Sequence, residues 1–310
     1  MTAQGKPHNR LQRVCALIVL ASLVAAACGN AGAAPAVVIG VGSTDEQQVL
    51  AALTGESLQR AGIPVQARTD LGSTLGLRRQ ALADRIDLYW DYTGAAWALG
   101  LREAAPPADP VESWERVHEA DQRQGLRWLR PTHANATLAL MVRSADLPSP
   151  DSDLAWLAGE LSSGQRRLCA DPDFISRDGG LRALAAEYGI DASAVPTQAA
   201  GEAEAVAAVA NGECYAGLAT ATSGAAKAAD LVPVADELRV FPAFVVAAVV
   251  GEGSPADAAT VTAALAPLIA ALDTATLAGL NAQVATGEDP AVVAAAFVSR
   301  LGRQTPTPAP

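Results

Sequence analysis

Hydrophobic residues occur along this chain in short blocks that switch between two periods. Val37-Val38-Ile39-Gly40-Val41-Gly42-Ser43 is a nearly continuous apolar run ending in a turn, the pattern of a strand buried on both faces. Over residues 46–61, Val49, Leu50, Leu53 and Leu58 fall at helical spacing. After the turn Gly62-Ile63-Pro64 come a second strand at 65–69, a helix at 74–84 and the strand Ile86-Asp87-Leu88-Tyr89-Trp90. This alternation predicts a mainly parallel sheet covered by helices, and ligands of such sheets bind at the carboxyl ends of the strands. Ser43 and Tyr92 both fall at such ends.

The next apolar block is Thr137-Leu138-Ala139-Leu140-Met141-Val142, followed by a Ser- and Pro-rich break at 144–152. The alternation then resumes with the strand Leu168-Cys169-Ala170-Asp171, a helix at 179–188, the short strand Val195-Pro196-Thr197, a helix at 202–210 and a strand at 214–220. A long apolar run at 241–250 closes this second unit, and residues 257–301 read as helical. The chain is thus expected to be a two-lobed α/β protein with two mixed or parallel sheets. Lobe 1 is assigned to 37–142 plus 245–301 and lobe 2 to 143–244, with the crossing strands at 137–142 and 244–249.

The amino-terminal segment has a different character. Lys6, Arg10 and Arg13 precede an uncharged stretch from 14 to 27, the layout of a signal peptide. That stretch is shorter than the roughly 20 apolar residues a membrane span needs. It ends in Ala25-Ala26-Ala27-Cys28-Gly29, which resembles the lipobox of bacterial lipoproteins, although Ala25 stands where a large aliphatic residue is usual. On this reading residues 1–27 are removed, Cys28 is acylated and anchors the chain to the outer face of the membrane, and 28–36 is a linker. The alternative is ordinary cleavage within 31–36, which discards Cys28. The Pro-rich residues 302–310 are expected to be a disordered tail.

Composition narrows the function. Half of the residues are hydrophobic, 18% are charged, and the formal charge of −11 argues against a nucleic-acid footprint. Cys15 lies in the signal, which leaves Cys169 and Cys214 for the folded part. An exported protein can hold them as a disulfide; two buried thiols are the alternative. His118 and His133 lack partners at metal-ligand spacing, and Asp171-Pro172-Asp173 reads as a turn. The sequence contains no phosphate loop, nucleophile elbow or zinc signature, so neither an enzyme nor a cofactor is expected.

Several segments occur in one characteristic order: Gly42-Ser43 near Gln48; Leu71-Gly72-Ser73-Thr74; Tyr92-Thr93-Gly94-Ala95; Asn135-Ala136-Thr137-Leu138-Ala139-Leu140; Phe174-Ile175-Ser176-Arg177-Asp178-Gly179; Phe241-Pro242-Ala243-Phe244; and Leu280-Asn281 before Asp289-Pro290. Together they resemble the substrate-binding proteins of glycine betaine, choline and carnitine ABC transporters. The resemblance implies a two-lobed, type II-like periplasmic-binding-protein fold. It also implies a monomer that closes on a small zwitterionic or quaternary ammonium solute and delivers it to an ABC permease and its ATPase.

For the site, the resemblance implies an aromatic cage, because a quaternary cation has no N–H to donate and is attracted to ring faces instead. Tyr92 matches a cage tyrosine, Phe244 stands where another ring is usual, and Arg177 matches an arginine that holds a ligand carboxylate. Leu138 and Thr220 stand where relatives carry tyrosines, Ala95 replaces a ligand-contacting threonine, Ala136 a polar residue, and Thr44 stands where some relatives have a basic residue. Trp90 and Trp97 are read mainly as packing residues that could otherwise replace missing rings. With the cage thinned, a receptor for another small polar metabolite, or a lipid-anchored sensor or envelope protein on the same fold, stays open.

Overall fold

The computed structural model describes residues 35–101, 106–254 and 258–304. The expectations for the signal peptide, for Cys28 and for residues 305–310 of the tail lie outside the described residues, whereas 302–304, expected to begin a disordered tail, close the helix Pro290–Gln304 instead. Within them the chain forms two five-stranded sheets, ordered β2-β1-β3-β10-β4 and β7-β6-β8-β5-β9.

In the first sheet β1 (Val37–Gly40) runs parallel to β2 (Val65–Arg68) and β3 (Leu88–Tyr92). The returning strand β10 (Val246–Gly251) enters antiparallel between β3 and β4 (Leu126–Trp128). The second sheet repeats this plan. Here β6 (Leu168–Ala170) is parallel to β7 (Thr197–Ala199) and β8 (Ala216–Thr220), and β5 (Leu138–Arg143) is the antiparallel visitor between β8 and β9 (Leu231–Pro233).

This topology moves one expected boundary. Leu138–Arg143 was assigned to the end of lobe 1, but every one of its ladder partners lies in the second sheet. The crossing therefore runs through the segment before β5, where Ala136 N–H donates to the Phe244 carbonyl and Phe244 N–H to Asn135 Oδ1, at 2.9 and 2.7 Å. The second crossing segment ends where β10 begins, at Val246. The two segments thus run side by side as a paired ribbon, with Thr137 Oγ1 also donating to the Pro242 carbonyl at 2.7 Å.

Each lobe has its own core. On one face of the first sheet, Val49, Leu50, Leu53 and Leu58 of helix α1 (Asp45–Arg60) pack with Ile39, Leu88 and Trp90, and with apolar residues of the helices Ala258–Ala271, Thr274–Ala285 and Pro290–Gln304. The C-terminal helices thus pack on the first sheet. Trp90 is held there by a 2.8 Å bond from Nε1 to Thr54 Oγ1, and Trp97 packs on the opposite face, so neither ring lines the cavity between the sheets. Cys169 and Cys214 are joined as a disulfide with their Cα atoms 5.9 Å apart, tying β6 to the entry of β8 within the second lobe's core.

Between β3 and the helix Pro110–Gln122 lies a buried polar cluster. The Arg78 guanidinium grips Asp121 with two nitrogens, and Trp128 Nε1 donates to Asp121 at 2.7 Å. Beside it the fully buried Asp91 accepts from Tyr89 OH at 3.1 Å and from Tyr92 N–H at 2.8 Å. Buried charge is tolerated only when paired and hydrogen-bonded in this way. Desolvation nevertheless pushes the Asp91 carboxyl up to about 7.

Candidate ligand-binding site

The carboxyl ends of the parallel strands in both sheets face one another across a cavity of about 660 Å³. Lobe 1 supplies the turn after β1 and the first residues of α1 (Ser43 to Gln47), Ser73 and Thr74 after β2, Tyr92 at the end of β3 and Ala95 just beyond it. Lobe 2 supplies Glu202, Thr220, Thr222 and Ser223. Leu138 and Phe244 sit at the ends of the antiparallel visitors, where register places Leu138 opposite Thr220 and Val246 opposite Tyr92.

Six of the seven expected ligand residues, Thr44, Tyr92, Ala95, Leu138, Thr220 and Phe244, meet in this lining, as does Ala136. Arg177 does not. It lines an adjoining hollow of about 250 Å³ with Asp171, Asp173 and Phe174, its exposed side chain 3.4 Å from Asp173, and shares only Leu138 and Glu202 with the main cavity. Thr44 acts chiefly on the backbone, capping α1 by accepting from Gln47 N–H.

Local sequence explains how the two rings are placed. A Cβ on Gly94 would stand 2.4 Å from the Phe244 ring, so only glycine lets that ring lie against the turn after Tyr92. Phe244 is fixed from the other side through its backbone N–H to Asn135. Tyr92 is pinned by its hydroxyl, which donates to Glu46 Oε1 at 2.7 Å.

Glu46 and its partners were absent from the expected set. Asn281, on helix α2 of the C-terminal region (Thr274–Ala285), donates Nδ2 both to Glu46 Oε2 at 2.7 Å and to the Thr222 carbonyl at 2.9 Å. One amide thus bridges the two lobes. Burial is the main cause that raises the Glu46 carboxyl above its ordinary value, opposed by the hydrogen bonds it accepts and helped by the nearby charge of Glu202. Glu202, at the start of helix Glu202–Ala210, accepts from Thr220 Oγ1 at 2.9 Å. Asn281 and Gln47 are each 4% exposed, yet Asn281 Oδ1 and Gln47 Oε1 have no partner among the described residues.

Among the described residues no group of His, Cys, Asp and Glu is placed to hold a metal ion, and no described helix is long and apolar enough to cross a membrane. An interlobe cleft at the ends of two equivalent sheets, joined by a double crossing, defines a two-lobed solute-binding protein.

Comparison with known proteins specifies the class. Residues 35–300 match the family described as the substrate binding domain of the ABC-type glycine betaine transport system, and the chain belongs to that family. It is 31% identical over 269 residues to a glycine-betaine-binding protein of Pseudomonas aeruginosa, covering 84% of this chain and 86% of the relative. To the glycine betaine-binding protein YehZ of Escherichia coli it is 29% identical over 281 residues, covering 87% and 92%. The solved apo YehZ structure superposes with a TM-score of 0.78 over 87% of this chain and 99% of that one. A crystal structure described as a glycine betaine/carnitine/choline ABC transporter, 21% identical, shares the fold with a TM-score of 0.77 over 85% and 98% of the two chains. These relatives are binding proteins of transporters and not enzymes.

Proposed function

We propose that this chain is the extracytoplasmic receptor of an ABC importer for a small osmoprotectant of the glycine betaine, choline or carnitine type. The observation that carries the reading is the interlobe cavity itself, where Tyr92 and Phe244 present their rings beside carboxylates from both lobes. Its volume lies within the range usual for small-molecule sites. Each ring offers a cation about 0.5–2 kcal/mol. The solute enters between the lobes, the paired crossing segments act as the hinge, and closure removes water from around the cation, which strengthens its attraction to rings and carboxylates. The closed receptor then docks on the permease and its ATPase as a monomer, and acylation of Cys28 holds it at the membrane's outer face.

A thermal-shift panel of glycine betaine, choline, carnitine and neutral amino acids tests the reading. At least one quaternary amine raises Tm, and Tyr92→Ala removes most of that rise. A Tm raised by another solute class and by no quaternary amine would overturn it.

A further inference from the structure

The cavity's charge is one-sided. Asp45, Glu46 and Glu202 line it, and among the described residues no Lys, Arg or His does. The expected carboxylate clamp, Arg177, is turned to the adjoining hollow and pairs with Asp173. The amino terminus of α1, which could otherwise attract an anion, carries Asp45 and Glu46 in its first turn, and Thr44 already accepts from its Gln47 N–H.

The amides of the lining are committed within the protein. Asn281 Nδ2 donates to Glu46 and to the Thr222 carbonyl, and Gln47 Nε2 donates to Thr74 Oγ1 at 3.0 Å, so neither is left to hold a ligand carboxylate. The hydroxyls of Ser43, Ser73, Thr222 and Ser223 can serve either ligand, so the carboxylates decide.

We propose that this receptor selects a net cation bearing a hydroxyl, a quaternary amino alcohol, over zwitterionic betaines, with Glu46 and Glu202 as the specificity-determining residues. The ammonium group lies between the Tyr92 and Phe244 rings and is balanced by the two glutamates from opposite lobes, while the alcohol O–H bonds to the serine and threonine hydroxyls of the lining. The inference rests on the reading of the cavity as a quaternary ammonium site and narrows it.

Isothermal titration with choline, glycine betaine and 3,3-dimethyl-1-butanol, the uncharged carbon isostere of choline, tests it on the wild type, Glu46→Gln and Glu202→Gln. Choline is expected to bind the wild type at least about tenfold more tightly than glycine betaine, with the isostere weaker than choline by at least as much. Each neutral variant is expected to lose at least about tenfold more of its affinity for choline than of its affinity for glycine betaine. Because Glu46 also anchors Tyr92, Glu202→Gln, which leaves that ring in place, keeps the test independent of a misplaced cage. Glycine betaine binding the wild type as tightly as choline, or a choline-to-betaine ratio unmoved by both substitutions, overturns the inference while leaving the quaternary ammonium site standing. Binding of neither quaternary amine overturns the underlying reading and the inference with it.

Discussion

At the scale of single residues the site depends on side chains with two jobs. Tyr92 offers a ring to the cavity and fixes the carboxyl of Glu46 with its hydroxyl. Phe244→Ala removes only a ring, and at about 0.5–2 kcal/mol per cation–π contact should weaken binding of the true ligand by about 2- to 30-fold in titration. Gly94→Val should cost at least as much, because the new side chain would occupy the space of the Phe244 ring. The sequence made the two rings legible through their position at a strand end and in the Phe241-Pro242-Ala243-Phe244 segment. It hid Glu46, because an acid in the first turn of a helix is what the helix dipole favours anyway, and nothing local separates a solvated cap from a ligand's counter-charge. Asn281 was equally hidden as a site residue, since it meets Glu46 across a sequence separation of 235.

Secondary-structure elements set the next level. The strands β1, β3 and β8 and the helix α1 were readable because buried strands and an amphipathic helix leave strong periods. The helix Pro110–Gln122 and strand β4 were not read, although Asp109 caps that helix and Pro110 opens it, because its polar face is dense and β4 is only three residues long. The placement of Leu138–Arg143 failed for another reason: a strand buried on both faces carries no mark of the sheet to which it belongs. Two predictions belong here. Replacing Cys169 and Cys214 together by Ser frees a loop of sequence separation 45 and should lower the unfolding free energy by about 2–4 kcal/mol, seen as a lower Tm that a reductant does not lower further. Asp91, whose carboxyl sits at about 7 in the fold against about 4 when unfolded, holds its proton more tightly when folded, so its contribution to stability is greatest at low pH and is lost as pH rises from about 4 to about 7. Chemical denaturation across that range should show Asp91→Asn losing this part of the decline; an unchanged pH profile would exclude Asp91 as its source.

For the whole molecule, the two-lobed plan followed from the alternation of elements, and the family resemblance added the closing mode. Besides the crossing ribbon and the Asn281 amide, the lobes meet where the short helix Gly224–Ala228 packs on Thr274–Ala285, so closely that a Cβ on Gly224 would stand 2.4 Å from the Asn281 backbone. Gly224→Val should therefore wedge the lobes apart. Small-angle scattering should report a larger radius of gyration, and the solute's apparent affinity should fall.

The bridge made by Asn281 has a consequence for how affinity is apportioned. Its amide reaches the Glu46 carboxylate in one lobe and the Thr222 carbonyl in the other, and in the proposed receptor this makes it both part of the recognition surface and a latch between the lobes. Measured affinity is then the intrinsic affinity multiplied by the fraction of molecules already latched. Two homologues with identical rings and carboxylates could therefore differ widely in uptake threshold through this amide alone, and selection on the latch could retune the receptor to scarce or plentiful solute without altering what it recognises.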